Sequence, residues 1–270
     1  MNRGLFHRVI LCFILFGAVA CDLLESHPYE VNVTYRDINR QAMEAIETAC
    51  AGKETIRYVW MGDSHRWLDE TEDFVKHVNG RDDIDFVMHG GDITDFGMNR
   101  EFDWVHRLMR KLTVPYVALI GNHDLLGNGL DVYEKMYGEL NFSFIAGITK
   151  FVCLNTNALE FDYSYPVPDF SFLSRERADT LDKSYAQTIV AMHANPYGEQ
   201  FNNNVAPIFQ GHLRRLKNLQ FSMHAHAHKL MVNDFFDDGV LYYGCAAMKD
   251  RNYMVFTVDR NAYSYEVVYY

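Results

Sequence analysis

The feature that most restricts this chain is a recurrence: five short β-rich apolar runs, each too short for a helix, stop at histidine, aspartate or asparagine, mostly beside glycine. Run 56–61 is followed by Gly62-Asp63-Ser64-His65, run 84–88 by His89-Gly90-Gly91-Asp92, and run 115–120 by Gly121-Asn122-His123-Asp124. Run 188–192 ends at His193, and run 219–223 at His224-Ala225-His226-Ala227-His228. Runs of this length, rich in Val, Ile, Tyr and Phe, read as buried strands. Between them, Trp67, Leu68, Phe74, Val75 and Val78 recur at helical spacing over 67–78, and Phe102, Val105, Met109 and Leu112 over 99–112. The opening is therefore βαβαβ. Segments 151–154, 240–243, 253–258 and 262–268 add strands, and no Pro/Gly/Ser-rich linker divides them. The pattern predicts one α/β domain of layered sheets. In open α/β sheets the carboxyl ends of the strands line the ligand crevice, so polar groups far apart in sequence can converge there.

Charge narrows the partners. Asp+Glu number 36 against 25 Lys+Arg, a net −11 that repels polynucleotide backbones. A phosphate-bearing ligand would need a local positive centre such as a metal. A hydrophobic fraction of 49% with only 6 prolines excludes a disordered or low-complexity chain.

The first residues form a separate unit. Arg3 and Arg8 precede a 12-residue uncharged apolar run, 9–20, too short for a membrane-spanning helix of about 20 residues. It reads as a signal peptide. Ala18-Val19-Ala20-Cys21 resembles a bacterial lipobox, with Ala18 where leucine is usual, and so predicts a lipid on Cys21 and anchoring to a membrane. The expected organisation is a signal over 1–20, a tether over 21–35 and one domain over 36–270, exported to the periplasm or held at a bacterial membrane. Cys50, Cys153 and Cys245 are odd in number and widely spaced, which predicts buried free thiols.

A single strand-end histidine or aspartate is ordinarily a cap or a packed residue. The cluster is different, because it would bury charge and imidazole together unless a cation sat among them. Asp63-Ser64-His65, Gly91-Asp92, Gly121-Asn122-His123-Asp124, His193 and the closing His-Ala-His resemble, in order and spacing, the five motifs of the calcineurin-like metallophosphoesterases. The resemblance implies a two-sheet β sandwich flanked by helices, a four-layer αββα arrangement. It also implies a dinuclear centre in which Asp63 and His65 hold one metal, Asn122 and His193 the other, and Asp92 bridges. The mix of N and O ligands suits Mn, Fe or Zn.

The resemblance further implies hydrolysis of a phosphomonoester or small phosphodiester by a hydroxide held between the metals. His123 would act as general acid, with Asp124 either fixing its tautomer or forming the turn after Asn122-His123. Asp95 is read as the cap of the following helix, and Arg66 and Trp67 as candidates for the pocket wall. His77, His89, His106 and His212 match no motif position and are read as packing or surface residues. Two registers compete for the last pair. His226 and His228 are preferred over His224 and His226, since Ala225 then occupies the position where the family has glycine, instead of the long Met223. The competing function classes are a non-catalytic metal-binding lipoprotein on the same scaffold and a nuclease, the latter disfavoured by the lack of a basic stripe.

Overall fold

The computed structural model describes residues 31–161, 166–178 and 184–270. The signal segment, Cys21 and most of the tether lie outside the described residues. Two sheets carry the fold. In the first, β1 (Ile56–Met61) is central. It runs parallel to β2 (Phe86–His89), which pairs in parallel with β3 (Tyr116–Ala118). On its other side β1 meets β10 (Asn252–Val258) antiparallel, and β11 (Tyr263–Tyr269) forms the edge. The second sheet has the order β4 (Phe142–Ala146), β5 (Thr149–Leu154), β6 (Gln187–Met192), β7 (Leu219–His224), β9 (Tyr242–Gly244), β8 (Met231–Asn233), with β5, β6, β7 and β9 mutually parallel.

Alternation along each strand builds the layers. Tyr58 and Trp60 of β1, Phe86 and Met88 of β2, and Val117 face inward against Phe151, Cys153, Ile189, Ala191, Phe221 and Met223 of the second sheet. The intervening residues, among them Val59, Met61, Val87 and Ala118, face outward and are covered by α2 (Leu68–Asn79), α3 (Asn99–Met109) and α4 (Gly129–Met136). Val152, Leu154, Val190 and Met192 are covered in the same way by α5 (Phe170–Ala178) and α6 (Ala206–Leu213). Because both faces of the sheets are buried, these strands read as continuous apolar runs. α1 (Ile38–Cys50) closes the side of the sandwich, where the Asn39 amide donates to the Ala118 carbonyl and accepts from its N–H, both at 2.8 Å. The edge strand β3 is thereby capped by a side chain.

The layered α/β reading holds, with local differences. Strand β2 starts at Phe86, β3 shrinks to three residues, and α3 stops at Met109. Helices α1, α4, α5 and α6 add to the elements read from sequence, and α5 and α6 carry little periodic apolar signal. Packing also reaches back into the expected tether: Val33 is buried, and Val31 and Tyr35 lie against the outer core. Cys50, Cys153 and Cys245 are buried and free.

Candidate metal centre

Every residue singled out at a strand end lies at one rim of the sandwich. Asp63, His65, Asp92 and His228 form one group whose ligand atoms lie within 4.8 Å of one another, and Asp92, His193 and His226 form a second. Asp92 belongs to both, and its oxygens face opposite ways: Oδ2 lies 3.6 Å from His65 Nε2 and Oδ1 lies 3.4 Å from His193 Nε2. Asn122 Oδ1 joins the second group, 3.1 Å from His193 Nε2. The first sheet supplies Asp63, His65, Asp92 and Asn122, and the second supplies His193, His226 and His228.

Backbone shape makes this convergence possible. Asp63, His65, Asp92, His226 and His228 all sit in the left-handed region, with φ of 54°, 42°, 54°, 63° and 54°. Asp and His tolerate it better than bulkier residues, and a cluster of such outliers at one site is a mark of function. Close approach is equally constrained. A Cβ on Gly121 would stand 2.1 Å from the Asp92 nitrogen, and one on Gly90 would stand 2.9 Å from the Ala225 Cβ. Ala225 is buried with its Cβ against Gly62 and Gly90, in keeping with the register that pairs His226 with His228. His224 stands outside both groups. Its ring points to the outer face of the second sheet, with Phe235 at 6.1 Å, and its Nδ1–H donates to the Ala225 carbonyl.

The hydrogen bonds fix the tautomers, because a carbonyl can only accept. His65 Nδ1–H donates to the Thr94 carbonyl at 3.1 Å and His193 Nδ1–H to the Gly90 carbonyl at 2.8 Å. Each leaves Nε2 facing the centre. In His193 that nitrogen confronts two oxygens, of Asn122 and Asp92, an arrangement that repels unless a proton or a cation sits between them. Burial works against a charge on His193, but the adjacent Asp92 carboxylate overrides it and raises the imidazole to about 9. Burial lowers His65, and lowers His226 to about 4, so both offer lone pairs at neutral pH. Both oxygens of Asp63 and Nε2 of His65 are buried without a hydrogen-bond partner. Carboxylate oxygens without a hydrogen bond are costly in an interior, even with His228 Nε2 3.4 Å from Asp63 Oδ1, and divalent cations satisfy them. The residues fit two such ions sharing Asp92.

Around this set, Asp124 is the turn former, and Asp95 caps no helix. Asp124 is fully buried and accepts from the amides of Ile93, Thr94 and Gly121 and from the Thr94 hydroxyl. It holds the 91–94 turn and does not orient His123. His123 Nδ1–H donates instead to the Asp95 carbonyl at 2.8 Å. The helix that Asp95 was expected to cap begins later, where Glu101 accepts from the Met98 amide, and the Asp95 carboxylate pairs with Arg66 at 2.9 Å. Trp67 stands at the mouth, its ring 5.2 Å from His65 and 6.3 Å from His228.

One residue escaped the sequence reading. His89, buried at the end of β2, accepts the Gly91 N–H at Nδ1, so its Nε2–H donates to Ser64 Oγ at 2.9 Å, and the hydroxyl donates on to the Ile93 carbonyl. The chain of bonds ties the Asp63–His65 turn to the Asp92 turn. From sequence, a histidine closing an apolar run looks like any packed histidine.

Two layered sheets with paired ligand groups at one rim define a metal-dependent phosphoesterase frame. The chain belongs to the calcineurin-like phosphoesterase family, hydrolases acting on phosphate esters, whose model matches residues 56–230. A probable cyclic nucleotide phosphodiesterase of Moraxella catarrhalis (strain BBH18) is 25% identical over 178 residues, 58% of either chain. The present chain thus spans little more than half of that relative. Among solved structures, a dimetal phosphatase from Danio rerio has a TM-score of 0.63 at 12% identity, covering 78% of this chain and 95% of its own. A purple acid phosphatase from yellow lupin (Lupinus luteus) seeds has a TM-score of 0.62 at 14% identity, covering 80% and 52%. At these identities the likeness is one of fold.

Proposed function

We propose that this protein hydrolyses a small phosphate ester, a phosphomonoester or a compact phosphodiester, at a centre of two divalent ions. Asp63, His65, Asp92 and His228 would hold one ion, and Asp92, Asn122, His193 and His226 the other. The observation that carries the reading is the shared Asp92, whose two oxygens each face a histidine of a different group. Ions bound there supply positive charge for the phosphate and activate water at neutral pH. Mn, Fe or Zn fit the mixed ligand set.

The chain's own part is to orient ligands and to move one proton. With Nδ1–H tied to the Asp95 carbonyl, the His123 ring is held so that Nε2 is free to carry a proton to the leaving oxygen. Its ring lies 4.8 Å from that of His65, at the edge of the first group. Asp124 supports the turn beneath. The name of the Moraxella relative favours small phosphate esters over polynucleotides, as does the net charge of −11. Export with a lipid on Cys21 is part of the same proposal, supported by the sequence of residues 1–21.

The test is a substrate panel on metal-reconstituted protein: phosphomonoesters, linear and cyclic phosphodiesters and nucleic acid, with metal content measured alongside. Turnover of small esters with two ions per chain, lost in Asp92→Asn together with both ions, is the expected result. Full metal loading without turnover of any ester would leave a binding protein on the same scaffold.

A further inference from the structure

Outside the stretch that matches the family, one cation is built onto the site. The turn 248–250 is pinned to the ligand strand: the Met248 N–H donates to the Asp63 carbonyl at 3.2 Å, and Gly62 bridges to Ala247. Arg251, in the left-handed region at φ 50°, closes the turn with its N–H on the Met248 carbonyl at 3.0 Å. Lys249 projects from it, and its Nζ lies 5.6 Å from the centre of the Trp67 ring, the same ring that packs on His65 and His228. Of the nearby arginines, Arg66 is neutralised by Asp95 and Arg251 by Asp73, each at 2.9 Å. Lys249 has no ion pair among the described residues.

An unpaired cation on a rigid turn at the mouth of the site, in a chain of net charge −11, stands ready for an anion. The Trp67 face restrains the ammonium without neutralising it. Resting on the phosphoesterase reading above, we propose that Lys249 is a specificity-determining residue. It receives a phosphate oxygen of the substrate that carries charge in a dianionic monoester and not in a monoanionic diester. A second negative charge a few ångströms from an exposed ammonium is worth up to about tenfold in affinity.

The experiment compares the wild type, Lys249→Met and Lys249→Arg, all metal-loaded. The substrates are p-nitrophenyl phosphate, a dianion at pH 8, and the monoanionic methyl p-nitrophenyl phosphate, which shares its leaving group. Binding of inorganic phosphate is measured by calorimetry. Lys249→Met should lower kcat/KM for the monoester about tenfold, leave the diester within twofold, and weaken phosphate binding about tenfold. Metal content should be unchanged, and Lys249→Arg should restore most of the loss. Equal losses on both esters, or phosphate binding unaltered in Lys249→Met, would overturn the assignment. If the wild type cleaves neither ester, the phosphoesterase reading fails, and the phosphate-binding comparison still decides the role of the lysine.

Discussion

Gly62 and Gly121 stand in equivalent places in the sequence, each directly before a site residue, yet the structure predicts opposite responses to alanine. A Cβ on Gly121 would lie 2.1 Å from the Asp92 nitrogen, 2.2 Å from its Oδ1 and 2.8 Å from its Cα. Ordinary contact begins near 3.4 Å, so Asp92 or the end of β3 must retreat by more than about 1 Å. A side chain could swing away, but two of these three atoms are backbone. Overpacking of this kind costs about 1–3 kcal/mol of stability. Displacing the carboxylate that serves both ligand groups by about 1 Å is expected to cost about 10²-fold in turnover. For Gly62 the nearest atom is the Ala225 Cβ at 3.0 Å, with the next at 3.4 Å, a crowding of a few tenths of an ångström. Gly62→Ala should melt within a few degrees of wild type and keep its activity within a few-fold. Metal analysis, thermal melts and kcat on the same three proteins decide the matter. If Gly121→Ala retains two ions and a kcat within threefold of wild type, Asp92 is not held by that close approach, and the reasoning is wrong.

Other consequences follow from the same geometry. His123→Ala should keep both metals and lose about 10²- to 10⁴-fold, more for alkyl phosphates than for aryl phosphates with an activated leaving group; equal loss on both would point to a binding role. His228→Ala should lower metal occupancy and abolish turnover while His224→Ala leaves most activity, and the reverse would restore the other register. Burial, with Arg110 nearby, lowers His106 to about 4, far from the metal groups. The unfolded chain binds this proton first, so the contribution is complete above about pH 6.5 and fades as pH falls toward 4, by up to about 3 kcal/mol. His106→Gln should therefore flatten the acid loss of stability in urea titrations between pH 7 and 4.5, and an unchanged slope would show that the histidine titrates alike in both states. Mass spectrometry of protein from membranes should find residues 1–20 removed and a lipid on Cys21, whereas an intact Met1 in a cytoplasmic fraction would contradict export.

Much of the centre was legible because strand ends in a parallel sheet leave few places to go. Asp63, Asp92, Asn122 and His193 each follow an apolar run, and the sheet brings them to one rim. The choice of His226 and His228 came from a size argument at position 225 that the packing against Gly90 makes concrete. What stayed hidden was direction. Sequence proximity favours Asp124 as the partner of His123, although its carboxylate is spent on three amides and the Asp95 carbonyl orients the ring. His89 was invisible for the same reason, since its role depends on which nitrogen meets Ser64. Helix α1 was missed because the contact that fixes it, Asn39 on Ala118, spans 79 positions.

The order of synthesis gives the topology a further meaning. Strand β1, which delivers Asp63 and His65, is flanked on one side by β10, with Ile56 opposite Val258, and the turn that pins Asp63 from behind begins at Ala247. Every residue of the metal centre is therefore translated before the strand that completes its sheet. A nascent chain emerging as far as His228 holds all the ligands and an open β1 edge, a combination exposed to pairing with other chains. Closing that edge requires contact across most of the sequence, the slowest kind to form. A polypeptide ending soon after His228 would carry the full set of motifs without the strands that complete the first sheet, so the last forty-odd residues, which contribute no metal ligand, decide when the others form a site.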